Sequence, residues 1–306
     1  MPQAPTGVYP PVPTFFHPDG ALDLDTLRHH LHRLKPTGIS GVVALGSNGE
    51  AIHLTAKERA TVINTAKQTI SPLAVIAGAS APTVQETVEN CKQAKEAGAD
   101  YAIVLPPTYY SYGGRMKEVI HLYFTQVAEQ SPIPLLIYNF PAVTHGIDID
   151  ADTIVALSAH PNIVGIKATD GNIGKMANVI GRVGPDFHVL AGASDVYLPA
   201  LTVGAKGCVP GSGNVFPRSV VLLEKLFREG KLDEARKLQQ ALVLPDDATG
   251  RWFGIVGVKM ALDAYYGYGG NPRAPLLPPL QEHRERVADA CKEVVEYENT
   301  LAEAGQ

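Results

Sequence analysis

Lys167 is the only charged residue in the apolar run Ile163-Val164-Gly165-Ile166-Lys167-Ala168-Thr169. If that run is a strand, alternation places Lys167 on one face with Gly165 and Thr169, and the bulkier Val164 and Ile166 on the other. Withdrawing an ammonium from water costs hydration, so an inward-facing lysine favours the neutral amine. A neutral amine adds to a ketone, and the iminium it forms is an electron sink for breaking a carbon–carbon bond. Taken alone, a lysine near a strand end also fits a side chain that reaches solvent.

Four other segments carry groups that chemistry of this kind requires. Tyr138-Asn139-Phe140-Pro141 ends an apolar run and offers a phenol for proton transfer, although a core tyrosine fits the same pattern. Leu45-Gly46-Ser47-Asn48-Gly49-Glu50 has glycines around Ser47 and Asn48, so its backbone N–H groups can converge on a carboxylate; an ordinary turn reads the same way. Glu50 is expected to brace that loop. Tyr109 and Tyr110 follow another apolar run and suit either a subunit contact or a proton relay. Gly211-Ser212-Gly213-Asn214 is a candidate phosphate cradle. His29, His30 and His32 lack the i,i+4 spacing of a helical metal pair and read as solvated positions. His53 and His145 are isolated, so no metal site and no nucleotide fingerprint is expected.

The elements that must position these groups recur with a period. Eight apolar runs occur at Gly7–Phe15, Gly41–Leu45, Leu73–Ala77, Tyr101–Leu105, Leu135–Phe140, Ile163–Ala168, His188–Ala191 and Gly207–Pro210. The first six are roughly 30 residues apart, one βα unit each. Helical periodicity fills the intervals: Asp25–Leu34 after Asp23, Thr55–Ile70, Thr83–Ala97, Asp150–Ser158, a short piece at Asp195–Val203, and Arg218–Arg228. Thr55/Glu58 and Thr83/Glu86 are spaced as capping boxes, and Gly98 closes the second helix. Near-continuous apolar strands alternating with amphipathic helices indicate a parallel sheet covered outside, and eight units indicate a (β/α)8 TIM barrel. A doubly wound open sheet is the competitor, but no dinucleotide fingerprint follows the first strand. The barrel spans residues 1–230. Residues 231–306 read as a helical appendage packed on it in one structural unit, with helices at Leu232–Leu244, Gly257–Tyr265 and Glu282–Ala302.

Composition narrows the partners. The 306 residues are 45% hydrophobic and 19% charged, with a formal net charge of −5, which disfavours disorder, nucleic acid and anionic membranes. No stretch approaches the ~18 apolar residues of a membrane span. Three scattered cysteines, Cys91, Cys208 and Cys291, fit a reducing compartment without a disulfide framework. Met1-Pro2-Gln3-Ala4-Pro5 resembles no presequence, so the default is a cytoplasmic protein.

In their order along nearly the whole chain, Gly46-Ser47-Asn48-Gly49-Glu50, Tyr138-Asn139-Phe140-Pro141, Gly165-Ile166-Lys167, and Lys259 with Gly269-Gly270 and Arg273-Ala274-Pro275-Leu276 resemble the family of dihydrodipicolinate synthase and N-acetylneuraminate lyase. The resemblance implies Lys167 as Schiff-base nucleophile, Tyr138 as proton shuttle, and Ser47 and Asn48 as holders of the 2-oxo acid carboxylate. It also implies Tyr110, or Tyr109 one position away, as a relay tyrosine lent by a neighbouring subunit, and a backbone contact at Val209. The candidate substrate contacts are thus Gly46, Ser47, Asn48, Thr169 and Val209. No cofactor and no metal are implied, and a homotetramer built as a dimer of dimers is expected.

One departure is informative. Dihydrodipicolinate synthases carry an arginine soon after the strand-five tyrosine, whereas here Val143 occupies that place in Ala142-Val143-Thr144-His145-Gly146. A valine makes no charge-assisted bond to a carboxylate. The Ser-Asn loop, the Tyr109–Met116 stretch and Arg251-Trp252-Phe253-Gly254-Ile255 look more like eukaryotic 4-hydroxy-2-oxoglutarate aldolases and fungal aldolases of 2-keto-3-deoxy sugar acids. The expectation is therefore a pyruvate-forming aldolase. The rivals are dihydrodipicolinate synthesis from pyruvate and aspartate semialdehyde, and a silent barrel that only binds a 2-oxo acid.

Overall fold

The computed structural model describes residues 4–110 and 112–304; Met1–Gln3 of the N-terminal reading and Ser111 of the tyrosine stretch lie outside it. Among the described residues, eight parallel strands alternate with helices: β1 (Gly7–Val8), β2 (Gly41–Ala44), β3 (Ala74–Gly78), β4 (Tyr101–Val104), β5 (Leu135–Asn139), β6 (Ile163–Ala168), β7 (His188–Ala191) and β8 (Gly207–Cys208). The helices between them are α1 (Leu24–Leu34), α2 (Ala56–Ile70), α3 (Val84–Glu96), α4 (Met116–Gln130), α5 (Ala151–Leu157), α6 (Ile173–Ile180) and α7 (Tyr197–Thr202), with α8 (Pro217–Arg228) after the last strand. The order β1-β8-β7-β6-β5-β4-β3-β2 runs round a ring. It closes where Ser40 N–H donates to Val8 O, Val43 N–H to Pro10 O and Val12 N–H to Val43 O, each at 2.9 Å. The eight-unit barrel expected from the apolar runs is the observed fold.

The first run is a correction. Only Gly7–Val8 of Gly7–Phe15 joins the ladder. Pro10, Pro11 and Pro13 have no N–H to donate, so the chain continues as an extended segment with a single bridge from Pro11 to Val43. The last run stops at Cys208, two residues before Pro210. The capping box at Thr55/Glu58 is complete, but Thr83 makes only its own half, accepting from the Glu86 N–H.

Side-chain alternation divides the core. Val164 and Ile166 are buried, and Ile166 joins the large outer cluster shared with the helices. Tyr9, Val43, Ile76, Ile103, Leu136, Tyr138, Leu190 and Val209 form the inner layer of the barrel. Beyond α8, α9 (Leu232–Thr249), α10 (Ile255–Tyr266) and α11 (Gln281–Ala304) pack against the barrel, and their buried Leu242, Val258 and Val287 belong to the outer cluster. α9 does not stop at Leu244: it passes through Pro245 and runs five residues further, to Thr249.

Candidate active site

β5 and β6 pair so that Tyr138 and Lys167 are direct neighbours in register. Lys167 is 5% exposed, and its Nζ donates to Tyr138 Oη at 3.0 Å. The Lys167 Nζ also lies 4.3 Å from the centre of the Tyr138 ring, which stacks on Phe140. Ser47 Oγ reaches the same phenol from the other side at 3.4 Å. Lysine, phenol and hydroxyl therefore form a continuous polar chain at the C-terminal end of the barrel.

The turn that delivers Ser47 is built under strain. Leu45 adopts φ 58° and Glu50 φ 51°, left-handed conformations unfavourable for side chains other than glycine. Gly78 makes room for the turn: a Cβ there would sit 1.7 Å from Leu45 O, so the end of β3 admits no side chain where the turn crosses it. Ser47–Gly49 then form a 3-10 turn whose opening N–H groups, at Ser47 and Asn48, have no intrahelical acceptor. Asn48 Nδ2 lies against Gly211 and has no hydrogen-bond partner among the described residues. Thr14 Oγ1 donates to Gly49 O at 2.6 Å and holds the turn from below.

Glu50 closes that turn through residues far away in sequence. Lys259 Nζ donates to Glu50 Oε1 at 2.6 Å, with both side chains 1% exposed, and Arg273 N–H donates to Glu50 Oε2 at 2.9 Å. Burial pulls the Lys259 ammonium below its ordinary value, and the Glu50 carboxylate opposes that pull. Arg273 goes on to pair with Glu58, whose carboxyl it holds down at about 2. Lys259 and Arg273, noted in the sequence only as parts of a family pattern, are thus braces of the loop.

A cavity of about 290 Å³ opens above this chain, with Gly46, Ser47 and Tyr138 on its polar side and Ile52, Val143 and Leu276 among its apolar walls. Val143 is 43% exposed at its mouth. Sequence reasoning did not single out Arg59, which also lines it and donates to Gly78 O at 2.8 Å. A single cation on an amphipathic helix carries no local signal of its destination.

The remaining candidates separate. Thr169 follows Lys167 on the same face; its Oγ1 is buried with no partner among the described residues and packs where Gly192 leaves room, since a Cβ at 192 would meet it at 2.2 Å. Val209 belongs to the inner layer; its N–H is bound to Ala191 O, and no group among the described residues donates to its carbonyl. Tyr110 is not part of the chain: it is 65% exposed and packs edge-on between Tyr109 and Tyr112. The phosphate cradle at Gly211–Asn214 is overturned. Ser212 Oγ donates to the Asp246 carboxylate at 2.7 Å, and Asn214 Nδ2 donates to Pro11 O and Gly211 O. A buried carboxylate repels phosphate, and the donors are already used. His30 is also a correction: it is 0% exposed, bridging Tyr268 Oη and Asn214 Oδ1, and burial depresses it to about 3. No cluster of His, Cys, Asp or Glu among the described residues is arranged to hold a metal ion.

The sequence profile of the dihydrodipicolinate synthetase family matches residues 4–294. The chain is 39% identical over 300 residues, 96% of each chain, to a probable mitochondrial 4-hydroxy-2-oxoglutarate aldolase of Emericella nidulans. It is 39% identical over 324 residues, again 96% of each, to an L-threo-3-deoxy-hexylosonate aldolase of Aspergillus niger. Among solved structures, a prophage protein of the dihydrodipicolinic acid synthase family from E. coli, in complex with pyruvate, superposes with a TM-score of 0.87 at 29% identity, covering 94% of this chain and 98% of that one. A profile match over residues 4–294 and relatives above 30% identity covered to 96% agree with the barrel and its lysine-bearing sixth strand: the chain belongs to the dihydrodipicolinate synthetase family.

Proposed function

We infer that the protein is a pyruvate-forming class I aldolase, a carbon–carbon lyase that cleaves a 4-hydroxy-2-oxo acid or a 2-keto-3-deoxy sugar acid through an imine on Lys167. The observation that carries the residue assignment is the 3.0 Å contact between the buried Lys167 amine and the Tyr138 hydroxyl, with Ser47 on the far side. The relatives' names support the reaction class. In this reading the Lys167 amine adds to the C2 carbonyl, the carbinolamine loses water, and the iminium forms. Tyr138 takes the proton of the C4 hydroxyl as the C3–C4 bond breaks; its electrons flow into the iminium, and the aldehyde departs. Protonation at C3 and hydrolysis release pyruvate. No cofactor is required, because the iminium is itself the electron sink.

The Ser47 and Asn48 N–H groups and the Ser47 hydroxyl are suited to the C1 carboxylate. The unpartnered Thr169 Oγ1 and the free Val209 carbonyl are available to substrate hydroxyl groups and to the carbinolamine. The exposed Tyr110 is consistent with a tyrosine offered to a neighbouring copy in a homotetramer. Three free, buried cysteines suit a reducing compartment; the cytoplasm is our reading, and fractionation against a mitochondrial marker tests it. Among the described residues no helix is long and apolar enough to cross a membrane.

The decisive experiment is borohydride reduction in the presence of pyruvate, followed by peptide mass mapping. A reduced pyruvate adduct on Lys167, and loss of turnover in Lys167→Ala with an unchanged fold, are expected. An unmodified Lys167, or a Lys167→Ala variant that still turns over, sinks the assignment. A panel of 4-hydroxy-2-oxoglutarate, 2-keto-3-deoxy-hexonates, and aspartate semialdehyde with pyruvate then fixes the substrate. The neutral Val143 predicts no condensation with the last. Tight pyruvate binding with no turnover on any member would instead mean a silent barrel.

A further inference from the structure

We propose that Lys175 is a positioning residue for the wall that receives the aldehyde half of the substrate, an inference that rests on the aldolase reading above. The wall is the segment 140–149, which leaves β5 just after Tyr138, carries Val143 to the cavity mouth, and turns back through His145 at φ 53° and Gly146 at φ 83°. Asn139, 0% exposed, holds its base: Nδ2 donates to Asp148 Oδ1 at 2.8 Å, and Oδ1 accepts from Ile149 N–H at 2.9 Å. Thr144 Oγ1, also buried, lies 3.0 Å from both Phe140 O and Ile147 O.

Nothing in those contacts fixes the segment to β6, where the lysine is. Lys175 does. Asn172 caps α6 by accepting from the Lys175 N–H at 2.9 Å, which sets the start of that helix beside the strand end. From there Lys175 Nζ, on a side chain 11% exposed, forms a short ion pair with Asp148, donates to Ile149 O at 3.3 Å, and lies 2.6 Å from Asp170 Oδ2. Asp170 is three residues beyond Lys167 and its side chain is 6% exposed. Its contact with Lys175 is an ion pair rather than an aligned hydrogen bond, and its Oδ1 has no partner among the described residues.

One ammonium therefore joins two carboxylates, one on the wall and one just past the end of the strand that bears the imine lysine. Removing it leaves Asp170 buried without a counter-charge and facing Asp148, so the two segments repel. Loss of the tie, with or without that repulsion, lets Val143 move relative to Lys167, and a displacement of about 1 Å at a reacting centre costs roughly 100-fold in rate. In the aldolase reading pyruvate is held by the Ser47 turn rather than by this wall, so its capture does not depend on Lys175.

The test compares Lys175→Met, Lys175→Arg and Lys175→Met/Asp170→Asn, the last removing the buried uncompensated charge in case Lys175→Met does not fold. Each is assayed for turnover of whichever panel substrate the wild type cleaves fastest, and for borohydride trapping with pyruvate alone. Lys175→Met, or the double variant in its place, is expected to lose roughly 10- to 100-fold in kcat/KM for the aldol substrate. Pyruvate trapping should stay within about threefold of wild type, and Lys175→Arg should recover most of the loss. A parallel fall in trapping and turnover overturns the inference, as does a double variant with wild-type turnover. Failure of the wild type itself to trap pyruvate bears on the aldolase reading instead.

Discussion

Lys167 and Tyr138 meet because two neighbouring strands pair in register, so one is as well placed as the other. Their proximity was legible in the sequence, because strand alternation and adjacency require no long-range information. Their surroundings were legible only in part: the loop glycines marked Ser47 and a bracing Glu50, but nothing local showed that Ser47 reaches Tyr138 across 91 residues or that Glu50 pairs with Lys259 across 209. If Tyr138 moves the C4 proton, Tyr138→Phe should lower kcat by roughly 100- to 10,000-fold, the range of a general acid–base group. Steady-state cleavage assays measure this, and a kcat within about threefold of wild type would remove Tyr138 from the mechanism.

At the level of elements, the eight strands and their helices were readable because period and apolar runs are local properties. The errors have local causes too. Prolines at 10, 11 and 13 end a ladder that their apolar neighbours suggest should continue, whereas Pro245 fails to end α9 because tertiary packing outweighs one lost hydrogen bond. His30 sits among histidines on a polar-looking helix, yet Asn214 from the last βα loop and Tyr268 from beyond α10 bury it. That burial has a pH signature. The folded value is about 3 and the ordinary one 6.5, so below about 6.5 the unfolded chain binds a proton that the folded chain refuses. This contribution leaves stability undiminished above that pH and lowers it by up to about 1.4 kcal/mol per pH unit as pH falls toward 3. Urea titrations at pH 7, 5 and 4 should show a shallower decline for His30→Asn than for wild type, though from a lower starting stability. Parallel declines would mean that His30 accepts a proton in the folded state.

For the whole molecule, we propose that the barrel and residues 231–306 are one cooperative unit. Three ties cross between them: Lys259 to Glu50, Asp246 to Ser194 and Ser212, and Glu298, which accepts from the Arg218 and Ser219 N–H groups and so caps α8 from α11. Calorimetry should give one transition rather than two, and light scattering a mass near four times 32.6 kDa. A monomer would leave Tyr110 without a second site to serve. The cavity joins two kinds of position. Gly78 in its lining admits no side chain at all, while Ile52, Val143 and Leu276 stand exposed to solvent at its mouth. Substitutions at the rim should therefore change which aldehyde is released at little cost to folding, whereas any side chain at Gly78 would displace the turn that carries Ser47.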